Sequence, residues 1–251
     1  MLFDDIDKRM RMFETSNDRF VIPEVYIIAR IDGRGFTKLT KKTCNFEAPF
    51  DIRFKDMMVE TVKHLMNCGF NVKYGYTQSD EISLLLDKDD RTFHRKARKL
   101  LSVLAAEASA AFSVQLGRIA AFDCRLCEIP NKDLVADYFR WRQEDAHRNS
   151  LDAHCYWMFR KEGANKTEAH RNISGKSSEE KNEMLFQHGI NYNELPKWQK
   201  RGIGFYYGAI EREGFNPITK EKVITTRNTI IIDEELPTGE SYGQYVLSKI
   251  D

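Results

Sequence analysis

Val25-Tyr26-Ile27-Ile28-Ala29-Arg30-Ile31-Asp32-Gly33-Arg34-Gly35-Phe36 is the stretch on which the fold turns. Its first seven residues form a nearly unbroken apolar run rich in branched side chains, as in a buried strand, and Asp-Gly-Arg-Gly then breaks that strand into a tight loop. Downstream, Asp51 caps a predicted helix in which Phe54, Met58, Val62, Leu65 and Met66 recur at helical spacing, with Gly69 past its end. Phe70 to Tyr76 and Ile82 to Leu86 read as two strands of a hairpin. Polar Thr77-Gln78-Ser79-Asp80-Glu81 lies between them, so Asp80 and Glu81 fall at the tip. Thr92 caps a second predicted helix with Phe93, Ala97, Leu100, Leu101, Leu104, Ala108 and Ala111 on one stripe and Gly117 at its close, and a last strand follows at about Ala120 to Cys127. The β-α-β-β-α-β order predicts an α+β, ferredoxin-like unit: one antiparallel sheet with two helices on one face.

Beyond Pro130 the pattern predicts helices over 132–162 and 178–188, the latter opened by the capping box Ser177 and Glu180, and strands near 203–211 and 222–232. The expected organisation is a catalytic core over 1–130 and a helical and β-hairpin extension over 131–251, packed on the core as one integrated domain. No repeat, low-complexity tract or flexible linker interrupts it.

With 251 residues, 41% of them apolar, the chain is large enough for a substantial core. The N-terminal MLFDDIDKRM lacks the apolar segment of a signal peptide, and the longest aliphatic run, Val25 to Ile31, is too short to span a bilayer. A cytoplasmic protein with no membrane partner is expected. Five cysteines, an odd set, point to reduced thiols rather than a disulfide framework. The net charge of +1 leaves a nucleic-acid partner open, because such binding depends on where positive charge gathers. The densest basic group is Arg91, Arg95, Lys96, Arg98 and Lys99.

In the predicted topology the first strand lies beside the second hairpin strand, so Asp32 and Asp80 converge at one sheet edge. Taken singly, each is an ordinary turn residue. Held close, two carboxylates repel, and a shared proton or a bound cation relieves them. Magnesium accepts two carboxylates, a backbone carbonyl and phosphate oxygens. Gly33-Arg34-Gly35-Phe36 allows the backbone near a ligand, and its successive amides suit an anion nest. Lys96 and Lys99, three residues apart, share a helix face and are positioned to neutralise phosphates.

The blocks ARIDGRGF (29–36), YTQSDEISLLL (76–86), WRQEDAHRN (141–149), EKNEMLF (180–186) and INYNELP (190–196), in this order, resemble the tRNA-His guanylyltransferase family over roughly residues 5 to 210. The resemblance implies a polymerase-like palm that adds nucleotides to the 5′ end of tRNA, growing from 3′ to 5′, with a pair of Mg²⁺ ions per active site. By position it implies metal ligation by Asp32, Asp80 and the Gly33 carbonyl, with Glu81 beside them as a third catalytic carboxylate. It places the amides of Arg34, Gly35, Phe36 and Thr37 on the triphosphate, and Ser79, Lys96, Lys99 and Arg125 on nucleotide phosphates. His147, Lys181 and Asn191 are placed around the nucleotide that activates the 5′ end.

The implied partners are tRNA, ATP, GTP and other NTPs, and the implied assembly is a homotetramer sharing one tRNA. The implied reaction runs from nucleotidyl activation of a 5′-monophosphate, through attack of an incoming 3′-hydroxyl, to loss of pyrophosphate. His147-Arg148-Asn149-Ser150-Leu151-Asp152-Ala153 departs from the eukaryotic pattern, as does Ala48, where some relatives place a lysine. The match is therefore better to the bacterial and archaeal branch, which implies template-dependent repair of 5′-truncated tRNA; guanosine addition to tRNA-His is the alternative.

A non-catalytic RNA-binding module shares this topology, but it stacks bases on aromatics of its central strands, and VYIIARI and EISLLL offer almost none. Zinc at Cys124-x-x-Cys127, with His154 and Cys155, lacks a second cysteine pair and is disfavoured.

Overall fold

The computed structural model describes residues 3–215 and 221–250. Helix α1 (Phe3–Thr15) precedes strand β1 (Tyr26–Gly33), a short helix α2 (Phe36–Lys38) that runs into a π-turn at Leu39–Thr43, and helix α3 (Ile52–Asn67). The hairpin β2 (Val72–Gln78) and β3 (Glu81–Leu86), helix α4 (Ala97–Leu116) and strand β4 (Phe122–Ile129) complete the first half. The second half holds α5 (Lys132–Lys161), α6 (Lys166–Ile173), α7 (Ser178–Gln187), α8 (Lys197–Arg201), the hairpin β5 (Ile203–Phe215) and β6 (Lys222–Asp233), and α9 (Glu240–Ile250).

The predicted β-α-β-β-α-β unit is present as β1-α3-β2-β3-α4-β4, and its strands stand in the order β4-β1-β3-β2 with antiparallel neighbours. The extension continues this sheet, with β5 pairing to β2 and β6 to β5. Alternation along β1 assigns its two faces. Ile27, Ala29 and Ile31 join Met58, Val62 and Leu65 of α3 and Leu100, Leu104 and Phe112 of α4 in one core, whereas Ile28 packs with Tyr74, Leu85, Phe139 of α5 and Tyr242 of α9 in another. Helices cover both faces, which is why the opening stretch carries no polar alternation. Helix α4 is long and apolar enough to cross a bilayer, but Leu100, Leu104, Ala108 and Phe112 commit it to the core.

Asp51 caps α3 as expected, accepting a hydrogen bond from the Arg53 amide (2.8 Å). Other boundaries differ from the prediction. The hairpin turn is only Ser79 and Asp80, because β2 runs on to Gln78 and β3 begins at Glu81. The last strand is shifted to Phe122–Ile129. Helix α4 starts at Ala97, not Thr92, because Phe93, His94 and Arg95 all take positive φ. At that turn the Arg95 guanidinium points inward, where it donates to the carbonyls of Lys88 (2.8 Å), Val25 (2.9 Å) and Val21 (3.3 Å). One member of the basic cluster is therefore a buried structural tie between loops.

Candidate active site

Asp32 is the penultimate residue of β1, in register with Glu81 of β3, and opposed residues share a sheet face. Asp80 occupies the turn before Glu81. Gly33 brings the two aspartates together: its amide donates to the Asp80 carbonyl (3.1 Å). A Cβ on Gly33 would lie 2.9 Å from the Asp80 Cβ and 2.5 Å from the Phe36 ring. Ser79, in the left-handed region (φ 55°), turns the hairpin and donates its hydroxyl to the Asp80 carboxylate (3.1 Å). Burial, together with the charges of Asp32 and Glu81, pushes the Asp80 carboxyl up to about 6.

Glu81 faces a different partner. Arg142 of α5 grips both its oxygens (2.6 and 2.8 Å) and also reaches Asp145 (3.1 Å), while Arg30 stands 4.0 Å away. The expected trio of carboxylates thus divides into an Asp32–Asp80 pair and a Glu81 already neutralised.

These groups close one end of a cavity of about 410 Å³, a size suited to a small-molecule ligand. Phe36 and Thr37 flank the carboxylates; Phe46, Phe50, Phe54 and Trp198 supply aromatic walls; Lys41 and Lys55 supply cations. The α5 side is one helical stripe, Arg142, Asp145, Asn149, Ala153 and Trp157. Sequence reading missed Arg142, Lys41 and Trp157, although that stripe repeats at helical spacing and begins within a quoted block.

The other expected residues distribute unevenly. The Arg34 amide donates to the Ala121 carbonyl (2.8 Å), so the anion nest contracts to Gly35, Phe36 and Thr37, with Gly35 left-handed at φ 74°. Lys96 and Lys99 do not line the cavity. Helix α4 starts at their end and returns toward the carboxylate end over 20 residues, about 30 Å of rise, so sharing a helix face was insufficient to bring them near the aspartates. Lys96 instead pairs with Asp18 (3.0 Å), and Lys99 lies over the Phe93 ring. Arg125 sits on β4 opposite Arg30 and approaches Asp123 (3.7 Å), outside the cavity lining.

His147, Lys181 and Asn191 gather elsewhere, around α5, α7 and Tyr192. The Tyr192 hydroxyl donates to the His147 carbonyl (3.3 Å), Lys181 pairs with Asp152 (2.6 Å), and the Asn191 side chain donates to Glu194 (2.8 Å). Burial first, then Lys200 and Arg201, lowers the His147 imidazole and favours its neutral form.

Among the described residues no group of three His, Cys, Asp or Glu converges on a metal position. A cation at Asp32 and Asp80 would take its remaining ligands from backbone, phosphate or water, a mixture that fits Mg²⁺ and not structural zinc. The half-buried Asp32–Asp80 pair, in which the Asp32 charge raises Asp80, fits such an ion on chemical grounds.

A family model described as tRNAHis guanylyltransferase matches residues 7–130, and one described as the Thg1 C terminal domain matches residues 133–235. The tRNA(His) guanylyltransferase of Schizosaccharomyces pombe is 32% identical over 244 residues, 90% of this chain and 93% of that protein. A bacterial tRNA(His) guanylyltransferase (Thg1)-like protein in complex with GTP matches with a TM-score of 0.76 at 29% identity, covering 98% of this chain and 99% of that one. A bacterial protein of the same description in complex with ATP matches with a TM-score of 0.78 at 28% identity, covering the same shares.

Proposed function

The chain belongs to the tRNA-His guanylyltransferase family and is a nucleotidyltransferase; from that premise we propose that it adds guanosine to the 5′ end of tRNA-His at the Asp32–Asp80 end of the cavity. The observation that carries the proposal is the convergence of two aspartates at one end of the sheet's interior strands, with the Asp80 carboxyl raised to about 6 and no lysine or arginine paired to it among the described residues. Mg²⁺ held by Asp32 and Asp80, with the Gly33 carbonyl, would supply Lewis-acid activation of the attacking hydroxyl and charge stabilisation at the phosphate.

The chain's own groups do the positioning. The amides of Gly35, Phe36 and Thr37 and the Lys41 ammonium meet the triphosphate, and the aromatic walls hold the base. Arg142 keeps Glu81 engaged, so that it does not add a third free negative charge. Around α7, Lys181 and His147 receive the nucleotide that activates the 5′-monophosphate with release of pyrophosphate; the 3′-hydroxyl of the incoming nucleotide then attacks the 5′-phosphorus of that activated end, losing its proton and expelling the activating nucleoside monophosphate. ATP and GTP as ligands are supported by the complexes of the bacterial relatives. A homotetramer acting on one tRNA in the cytoplasm belongs to the same proposal.

The relatives' names favour guanosine addition over the templated repair expected from the segment after His147.

The experiment is nucleotide transfer by purified protein with Mg²⁺, ATP and GTP. Intact 5′-monophosphate tRNA-His should gain one guanosine, and Asp80→Asn should abolish the gain without altering the melting temperature. Faster extension of tRNA lacking its first nucleotide, with the added base dictated by the opposite strand, would shift the assignment to repair. Transfer that persists in Asp32→Ala and Asp80→Asn would remove both readings.

A further inference from the structure

Among the described residues Lys200 of α8 is the one buried lysine, with 5% of its surface exposed. No carboxylate among them pairs with it. Its neighbours on the same short helix are engaged elsewhere, Lys197 with Glu235 and Arg201 with the Leu236 carbonyl (2.9 Å). Burial first, then Arg201 and Lys197, lowers the Lys200 ammonium from its usual value. A buried cation without a counter-charge is costly, and an apolar side chain of similar length would fill the same space without that cost.

The partners of the ammonium show what it does. It donates to the main-chain carbonyls of Tyr192 (3.0 Å) and Asn193 (2.8 Å) and stands 5.4 Å from the centre of the Tyr192 ring. Those carbonyls belong to the turn that Asn191 opens, its side chain accepting from the Asn193 amide (3.2 Å). Tyr192 joins this turn to α5: its hydroxyl donates to the His147 carbonyl, and its ring meets the His147 imidazole edge-on with centroids 5.6 Å apart. One buried charge therefore ties Asn191 to His147 while lying outside the lining of the cavity that holds Asp32 and Asp80. The link from α8 to that cavity runs through other residues, since Trp198 forms part of its wall and the Gln199 carbonyl accepts from Gln78 (3.5 Å).

We propose that Lys200 is a positioning residue for the activation step: it holds the turn from Asn191 to Asn193 against His147 and so shapes the site of the activating nucleotide, with no part in the later transfer. The proposal rests on the function assigned above. It adds a division of labour within α8, in which Lys200 serves the activating nucleotide and Trp198 serves the cavity.

The test compares two substrates with GTP as the incoming nucleotide. A 5′-monophosphate tRNA must first be activated by ATP, whereas the same tRNA with a 5′-triphosphate already carries its leaving group, pyrophosphate. Lys200→Met fills the space without donors. It should raise the KM for ATP on the monophosphate tRNA about tenfold or more, the equivalent of losing one charged hydrogen bond. Extension of the triphosphate tRNA should stay at the wild-type rate. Tyr192→Phe, which removes only the bond to the His147 carbonyl, should raise the same KM by less, and it carries the test alone if Lys200→Met does not fold. Equal loss on both substrates would overturn the proposal and make Lys200 a support for α8 as a whole. A wild-type KM, or a fall in kcat with KM unchanged, would overturn it too. Wild type that extends neither substrate would overturn the function assigned above, and this role with it.

Discussion

Arg142 holds Glu81 through both carboxylate oxygens, and this bidentate contact joins α5 to the strand that delivers Asp80. Both side chains are largely buried, with 11% and 17% of their surface exposed, so neither is readily replaced by water. Removing Arg142 alone leaves a buried charge beside two aspartates, at a cost of about 3–5 kcal/mol. Arg142→Ala should therefore lower the melting temperature strongly. Its metal-dependent nucleotide binding should weaken more at pH 6 than at pH 8, because an unpaired Glu81 raises the Asp80 carboxyl further. The double variant Arg142→Met, Glu81→Gln should recover stability, which melting curves of the three variants will show.

Gly33 sets the distance between the two aspartates. Gly33→Ala forces a methyl group to within 2.5 Å of the buried Phe36 ring and 2.9 Å of the Asp80 Cβ, so the hairpin turn must retreat. Overpacking of this kind costs about 1–3 kcal/mol, which a chain with this core survives. The expected result is a folded protein that has lost transfer activity, seen as a drop in kcat with a modest fall in Tm. Gly35 gives the contrast: nothing lies within 4 Å of its Cβ position, but its φ is 74°. Gly35→Asn should be tolerated better than Gly35→Val, because asparagine enters the left-handed region more readily.

Asp51 makes the fold sensitive to acid. Its carboxylate accepts from the Arg53 guanidinium (2.6 and 3.0 Å) and from the amides of Glu47 (2.7 Å) and Arg53 (2.8 Å). The Arg53 side chain, first among these partners, holds the carboxyl well below the usual carboxylate range. A depressed folded-state pKa stabilises fully above the unfolded value, about 4 for aspartate, and that stabilisation is lost as pH falls through the folded value. Wild type should lose stability more steeply than Asp51→Asn below about pH 4. At neutral pH the variant should be less stable by about 1–3 kcal/mol, because it loses charged acceptors at a buried cap. Thermal melting across a pH series measures both.

The sheet was legible because β1 and β3 bury both faces and so carry only Arg30 and Ser83 as interior polar residues, which made Asp32 and Asp80 conspicuous. The cap at Asp51 and the box at Ser177 were local signals and were read correctly. The α6 capping box, Asn165 with Glu168, is equally local and was overlooked. Helix α1 gave no core stripe to find, since none of its residues is buried. The left-handed turn at Phe93 to Arg95 was invisible because it is imposed by a tertiary contact, the burial of the Arg95 guanidinium among distant carbonyls. Direction along α4 was the costliest omission. Periodicity shows which residues share a face and says nothing about which end of the sheet that face reaches.

That omission leads to the last prediction, which concerns Lys99. A charged contact to phosphate contributes about 1.5–3 kcal/mol, so losing one weakens binding about tenfold or more. Lys99 lies at the α4 end remote from Asp32 and Asp80, over the Phe93 ring. Lys99→Ala should therefore leave the affinity of dilute, monomeric protein for Mg²⁺-GTP nearly unchanged, while Asp80→Ala abolishes it. Fluorescent nucleotide titration of both variants provides the comparison. If Lys99→Ala weakens binding only at concentrations where copies associate, the lysine reaches the phosphate of a neighbouring copy's nucleotide. If it weakens binding equally in the monomer, the nucleotide extends along α4 and the cavity does not contain it. Lys96→Ala is the less clean probe, because it also removes one of the two cations, Lys96 and Arg98, that pair with Asp18 in the segment following α1.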